Sequence, residues 1–325
     1  MLQYDMEFDP AADTSPPPGR DVEGRADTVG YAADHEVYVF DDEEVVLAVN
    51  VALKTGRPLL LFGPPGSGKS SLAPNVARIL GWDFHPHVVT ARTEPEDLLW
   101  RFDALRRLND AQARKLHPDI RRYYTKGPLW RAFAGPERSV VLIDEIDKAD
   151  PDLPNSLLGP LGSLSFALPW CEDDHTALDD ADGNNGSDEA GEAGEAGVME
   201  KSVSVPPERA PLVVITTNDE RELPKPFLRR CIVVELEAPT RKHLLKVAAA
   251  HLGDRYDAVL AGQVADHIIG VRGMVRDAAA GPSTAEYLDA LKASQQLGVT
   301  PGTPEWKALE TVTLRKRREG TEGGA

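Results

Sequence analysis

The chain has 325 residues, 41% of them hydrophobic and 27% charged, an ordinary globular balance with enough length for two domains. Its 53 acids against 36 Lys and Arg give a net charge of −17, which argues against broad, nonspecific binding to nucleic-acid backbones. No apolar run approaches the ~20 residues of a membrane span. The first residues lack the basic start and apolar middle of a signal peptide, and two cysteines, Cys171 and Cys231, are too few for a disulfide framework and point to the cytoplasm.

Residues 1 to 30, rich in Pro, Asp and Gly, read as a disordered tail. A nucleotide-binding α/β domain is expected over 31–238. It starts with a helix from Asp41 or Asp42 to Thr55 that stops at Gly56. Arg57 to Phe62 is then a continuous apolar strand, and His87 to Thr90, Ser139 to Ile143, Leu212 to Thr217 and Cys231 to Leu236 repeat the pattern. Strands of this kind are buried on both faces, so the alternation with helices predicts a parallel sheet with right-handed crossovers.

Residues 172 to 200 carry eleven acids and no Lys or Arg and read as a disordered acidic insert. The flanking segments, Leu164 to Trp170 and Lys201 to Val205, read as the two strands of a hairpin whose tip the insert lengthens. From 239 to 317 the spacing is helical throughout, which predicts a separate lid domain with Thr240 as the cap of its first helix. Residues 318–325 read as a second tail.

Gly63, Pro64, Pro65, Gly66, Ser67, Gly68, Lys69 and Ser70 satisfy G-x-x-x-x-G-K-[ST] in full, between a buried strand and a helix. The glycines let backbone N–H groups turn toward phosphate oxygens, and the helix N-terminus adds its dipole. Lys69 can reach the β- and γ-phosphates, and the Ser70 hydroxyl can complete a magnesium shell. Pro74 in the second turn of that helix predicts a kink or widened turn.

Ser139 to Ile143 leads into Asp144 and Glu145. A carboxylate at the end of that strand is placed to hold magnesium through water, and its neighbour to polarise the attacking water. Leu212 to Thr217 ends at Asn218, whose amide can bond the γ-phosphate or that water. The eight histidines show no metal-ligand spacing, Cys231 reads as a small buried hydrophobe, and the Arg315 to Arg318 run reads as a solvated tail.

GPPGSGKS, VVLIDEID, VITTN and FLRRCIVVEL, in this order and spacing, resemble an AAA+ ATPase, specifically the MoxR-like group, over about Tyr38 to Leu291. The resemblance implies an αβα P-loop domain with a small all-helical lid, ATP and Mg²⁺ as ligands, and a homo-oligomeric ring, usually a hexamer. It implies a β-hairpin insert in the second helix and another before the Asn218 strand, with adenine between the Tyr38 to Phe40 stretch and the lid. It places Arg230, with Arg229 the fallback, as the arginine that completes the neighbouring subunit's site. It also implies chaperone-like remodelling of a partner carrying a von Willebrand factor A domain.

The lid departs from the family pattern. Where many relatives carry an arginine at the start of the third lid helix, this chain reads Gly281-Pro282-Ser283-Thr284-Ala285-Glu286-Tyr287, with Arg272 and Arg276 nearby. That departure keeps a slowly hydrolysing nucleotide-gated switch or scaffold in a signalling or defence complex open as a second reading. A nucleic-acid motor is a third, although no basic pore or added DNA-binding domain is visible. A GTPase is disfavoured because no Asn-Lys-x-Asp motif is present.

Overall fold

A computed structural model describes residues 4–12, 37–170, 201–274 and 281–314. Helix α1 (Glu43–Thr55) is capped by the Asp42 carboxylate, which accepts from the Glu44 N–H, and ends at Gly56 with φ +66°. Then follow β1 (Leu59–Phe62), α2 (Lys69–Leu80), β2 (Asp83–Val88), β3 (Trp100–Phe102), α3 (Ala104–Gln112), β4 (Tyr124–Lys126), α4 (Pro128–Ala134) and β5 (Ser139–Asp144). The domain continues with α5 (Leu153–Ser156), α6 (Leu158–Ser163), β6 (Ser165–Ala167), β7 (Ser202–Ser204), β8 (Leu212–Thr216), α7 (Lys225–Leu228) and β9 (Ile232–Glu235).

Five strands form one parallel sheet in the order β2-β5-β8-β1-β9. The central strands alternate faces, as the two-residue strand period demands. Leu60, Val141, Ile143, Val213 and Ile215 enter one core with α4 to α7, whereas Leu59, Leu61, Val140, Leu142, Leu212 and Val214 enter the other with α1 and α2. Both faces are covered, so the strands read as unbroken apolar runs. Two antiparallel pairs stand outside the sheet: β3 with β4, which enclose α3, and β6 with β7, which flank the acidic insert. They occupy the places where the sequence resemblance implies hairpins.

The C-terminal unit is α8 (Arg241–Leu252), α9 (Ala258–Met274), α10 (Thr284–Leu297) and α11 (Pro304–Thr313). It has its own core, with Leu244, Ala248, Val264, Ile268, Tyr287 and Leu291 at its centre. Thr240 caps α8 through the His243 N–H, as expected, and Ser283 with Glu286 forms a capping box on α10.

Two expectations are corrected. The first concerns the edge strand, which runs Asp83–Val88 rather than His87 to Thr90. Pro86 is tolerated there because β2 pairs with β5 alone. The second concerns the N-terminal segment: residues 4–12 do not trail from the domain. Phe8 is fully buried against Phe40, and the Asn50 side chain accepts from the Glu7 and Phe8 N–H groups and donates to the Phe8 carbonyl. Helix α2 runs Lys69–Leu80 with Pro74 inside it. A proline so near the N-terminus removes one bond, toward the Ser70 carbonyl, and the Asn75 amide donates to the adjacent Ser71 carbonyl. The rest of the expected N-terminal tail, the acidic insert at 172–200, Arg276 and the C-terminal tail lie outside the described residues.

Candidate functional site

The loop between β1 and α2 is built for close backbone approach. Gly63, Gly66 and Gly68 have φ of +145°, +75° and +92°, a region that side-chain-bearing residues rarely adopt. Space is short as well, since a Cβ on Gly63 would lie 2.4 Å from the Leu236 carbonyl oxygen. The Lys69 ammonium donates to the Gly63 and Pro64 carbonyls at 2.6 and 2.9 Å. Burial pulls its pKa down, and Asp144, Asp147 and Glu145 oppose that pull. The Ser67 hydroxyl, in the same loop, is buried with no partner.

At the sheet's C-terminal rim, the Asp144 carboxylate accepts from Ser70 Oγ at 2.8 Å and from Thr216 Oγ1 at 2.5 Å. These contacts join α2, β5 and β8 at one oxygen. Thr216 Oγ1 accepts in turn from the Glu145 N–H at 2.9 Å. Glu145 has φ +61°, an uncommon conformation for a residue with a side chain and one that turns the chain sharply after β5. Its carboxylate meets Lys148 Nζ at 2.6 Å and the Asn218 amide nitrogen at 3.5 Å, a long contact. Asp147 accepts from the Asn218 and Glu220 N–H groups at 3.2 and 3.0 Å, which holds the turn that carries Asn218.

Lys69, Ser70, Glu145, Thr216 and Asn218 border one cleft of about 280 Å³ between the sheet domain and the lid, while Asp144 sits behind its lining, bonded to Ser70 and Thr216. Pro65, Gly66, Ser67, Gly68, Lys69, Ser70, Glu145, Thr216 and Asn218 line its floor, Val37, Tyr38 and Val39 one wall, and His243, Val247, His251 and Leu288 the lid side. Asp41 pins that lid side, accepting from Lys246 at 3.1 Å and meeting His243 at 2.8 Å. Burial would raise the Asp41 pKa, but these two partners outweigh it and lower the value. Arg272 does not point into the cleft with its donors free. Its guanidinium donates to the Pro282 and Pro239 carbonyls at 2.5 and 3.0 Å.

Arg229 and Arg230 are exposed and lie away from the cleft. They precede β9, whose first residue Ile232 is level with Leu59 at the start of β1. The strands are parallel, so the arginines sit at the N-terminal rim, roughly 13 Å of strand from the phosphate loop. Arg57 fixes this turn by donating to the carbonyls of Arg229, Arg230 and Cys231.

The donor set fits a magnesium–triphosphate ligand. Ser70 and Asp144 offer hard oxygens 2.8 Å apart, suited to an octahedral Mg²⁺ shell completed by water and phosphate. The unpartnered Ser67 hydroxyl and the left-handed glycines form a cradle that a phosphate oxygen would fill. Among the described residues no cluster of three His, Cys, Asp or Glu side chains could hold a metal by itself.

The sequence motifs named every side chain on the cleft floor except Thr216, which the VITTN run contains without marking it as a bridge between Asp144 and Glu145. Asp147 and Arg57 were missed too. Asp147 was readable as a second acid three residues after Asp144, whereas no local pattern ties Arg57 to residues more than 170 positions away.

Residues 58–183 match the family model of the AAA domain of the dynein-related subfamily. No curated protein matches the chain. Among solved structures, a point mutant of RuvB from Thermotoga maritima aligns over 83% of this chain and 68% of its own, at 17% identity and a TM-score of 0.46. A T. maritima RuvB structure titled as a Holliday junction branch migration motor aligns over 83% and 67%, at 16% identity and a TM-score of 0.44. The β2-β5-β8-β1-β9 sheet with its phosphate loop and helical C-terminal unit is the AAA+ P-loop NTPase fold, and residues 58–183 carry its AAA domain signature.

Proposed function

We propose that this chain hydrolyses ATP with Mg²⁺ in a homo-oligomeric ring, and that it uses the resulting motion to remodel a partner protein. The observation that carries this reading is the 2.8 Å contact from Asp144 to Ser70, which borders one cleft with Lys69, Glu145 and Asn218. Bound Mg²⁺ would neutralise charge on the phosphate oxygens. The loop N–H groups and Lys69 would hold the phosphates, and Ser70 and Asp144 would hold the metal. Glu145 accepts the proton of the attacking water while Asn218 orients it. The water oxygen bonds to the γ-phosphorus as the bridging P–O bond breaks, and ADP leaves with the electron pair. Tyr38 and the lid wall of Val247 and Leu288 form an apolar slot suited to adenine.

The ring and the role of Arg230 rest on its position. A guanidinium at the rim opposite its own phosphate loop is out of reach of that loop, which is compatible with service in a neighbour's site. The client reading rests on the sequence resemblance to the MoxR-like group, which implies a partner with a von Willebrand factor A domain.

Turnover of the wild type and of Glu145→Gln, with and without DNA, tests the reading. Mg²⁺-dependent hydrolysis that falls ~10²–10⁴-fold in the variant and ignores DNA is the expected result. DNA-stimulated turnover would favour a motor, and negligible wild-type turnover a nucleotide-gated switch. The Glu145→Gln chain, used as a trap in the native host, would identify the client.

A further inference from the structure

The β3-α3-β4 insert inverts the charge of the molecule around it. Residues 101–126 carry eight Lys and Arg against three Asp, in a chain whose net charge is −17. All eight basic side chains belong to exposed residues. Arg101, Arg107, Arg114, Lys115 and Arg122 have no ion-pair partner among the described residues. The same insert exposes Leu105, Leu108 and Leu116 by 68, 54 and 48%, and α3 has no buried residue. Among the described residues nothing covers this short helix, which turns both an apolar and a cationic face outward.

Its complement is tethered beside it. The acidic segment 172–200 leaves the hairpin strand β6 just after Trp170. The Trp170 ring lies 5.5 Å from that of Tyr124 on β4 and 5.7 Å from that of Trp130. The Tyr124 ring lies 4.8 Å from that of Phe102 on β3. The eleven acids therefore begin within a few residues of the basic hairpin. The 29 residues of 172–200 are long enough to reach across the ~14 Å of α3, since a chain of that length spans roughly 30 Å root-mean-square even as a coil. Single exposed ion pairs are weak, but a tether of this kind supplies a millimolar effective concentration, so many weak pairs act together.

We propose that the β3-α3-β4 insert is an anion-binding docking surface occupied in cis by the acidic segment 172–200. The segment thereby shields Leu105 and Leu108 and competes with any acidic protein partner for the same face. This surface lies apart from the nucleotide cleft and does not depend on hydrolysis.

The test uses full-length chains and a fluorescein-labelled synthetic peptide of residues 172–200, read by anisotropy. One chain is wild type. The other carries all eleven acids changed to Asn or Gln. The neutralised chain is expected to bind the peptide at least tenfold more tightly than wild type, with affinity falling more than tenfold between 50 and 500 mM salt. Adding Arg107→Glu and Lys115→Glu to the neutralised chain should weaken binding at least tenfold. The milder Arg107→Gln and Lys115→Gln pair should move it the same way, with circular dichroism unchanged. Equal binding to both chains, no binding to the neutralised chain, or indifference to the charge changes would overturn the proposal. So would tighter binding of duplex DNA than of the peptide by the neutralised chain, which would mark a nucleic-acid surface instead.

Discussion

A methyl group on Gly66 would lie 2.1 Å from the Cβ of Ser283. The tip of the phosphate loop and the cap of the lid helix α10 are thus in direct contact, and the Thr284 N–H lies 3.4 Å from the Gly66 carbonyl oxygen. This chain brings the N-terminus of α10 against the phosphate loop, where its dipole would favour negative charge.

Gly66→Ala should therefore act on the lid before it acts on the fold. The φ of +75° adds strain of about 1 kcal/mol, and the clash pushes α10 away from the loop. We expect at least tenfold weaker nucleotide binding by calorimetry, or about 1.4 kcal/mol, with a cooperative melt retained. Ser283→Gly in the same chain removes the clashing carbon and should recover part of that affinity. Unchanged affinity in Gly66→Ala would mean that the lid contact plays no part in binding.

Arg230→Ala should leave nucleotide affinity unaltered and lower turnover by roughly 10³-fold or more, the range for an arginine supplied in trans. Mixed with wild-type chains, it should depress activity beyond simple dilution, because each variant subunit disables a neighbour. Activity that falls only in proportion to the wild-type fraction would remove the trans assignment. Arg57→Ala gives an independent readout. It frees the carbonyls of Arg229, Arg230 and Cys231 and should reproduce part of the turnover loss without touching the cleft.

The parallel sheet and the floor of the cleft were legible because their signals are local. Leu59 to Phe62 and Val140 to Ile143 are apolar on both faces, and the Gly63 to Ser70 spacing states its own geometry. What stayed hidden depends on residues distant in sequence. Phe8 sits in a segment with tail-like composition, and the partners that make its burial favourable, the Asn50 side chain and the Phe40 ring, lie more than 30 positions away. The apolar run His87 to Thr90 drew the expected strand too far along, because the polar residues of Asp83–Val88 fit a strand only at the sheet edge, where β2 pairs with β5 alone. Thr216 was passed over because a threonine near the end of a buried strand looks the same whether or not a carboxylate waits opposite.

Cys231 opens the β9 segment only 4% exposed, and burial raises its thiol pKa to about 12. The unfolded thiol titrates near 9, so the folded state holds its proton more tightly. Stability from this group is complete below pH 9 and declines as pH rises from there toward 12. In a Cys171→Ser chain, a thiol reagent at pH 8 should label Cys231 only after denaturant unfolds the protein. Rapid labelling of the native chain would contradict the burial. Arg57, whose charge lowers the thiol pKa to a lesser degree, predicts that Arg57→Ala slows native labelling no further than burial already does.

Arg272 ties the two ends of the lid to one guanidinium. Pro239 precedes Thr240, the cap of α8, and Pro282 precedes Ser283, the cap that meets Gly66. Burial pulls its pKa down and Glu286 opposes that shift, but an arginine keeps its charge across the physiological range. Arg272→Ala removes two charge-assisted bonds from partly buried carbonyls, at a cost of about 2 kcal/mol or more. The ammonium of Arg272→Lys lacks the planar fork that spans both acceptors. If the arginine merely stabilises the lid, Lys should restore the melting temperature and nucleotide affinity together. If it sets the angle at which α10 meets the loop, Lys should restore stability while KM for the nucleotide stays several-fold high. The 2.5 Å bond to Pro282, one residue from the Gly66 contact, favours the second outcome, which thermal melts and steady-state kinetics on the two variants would distinguish.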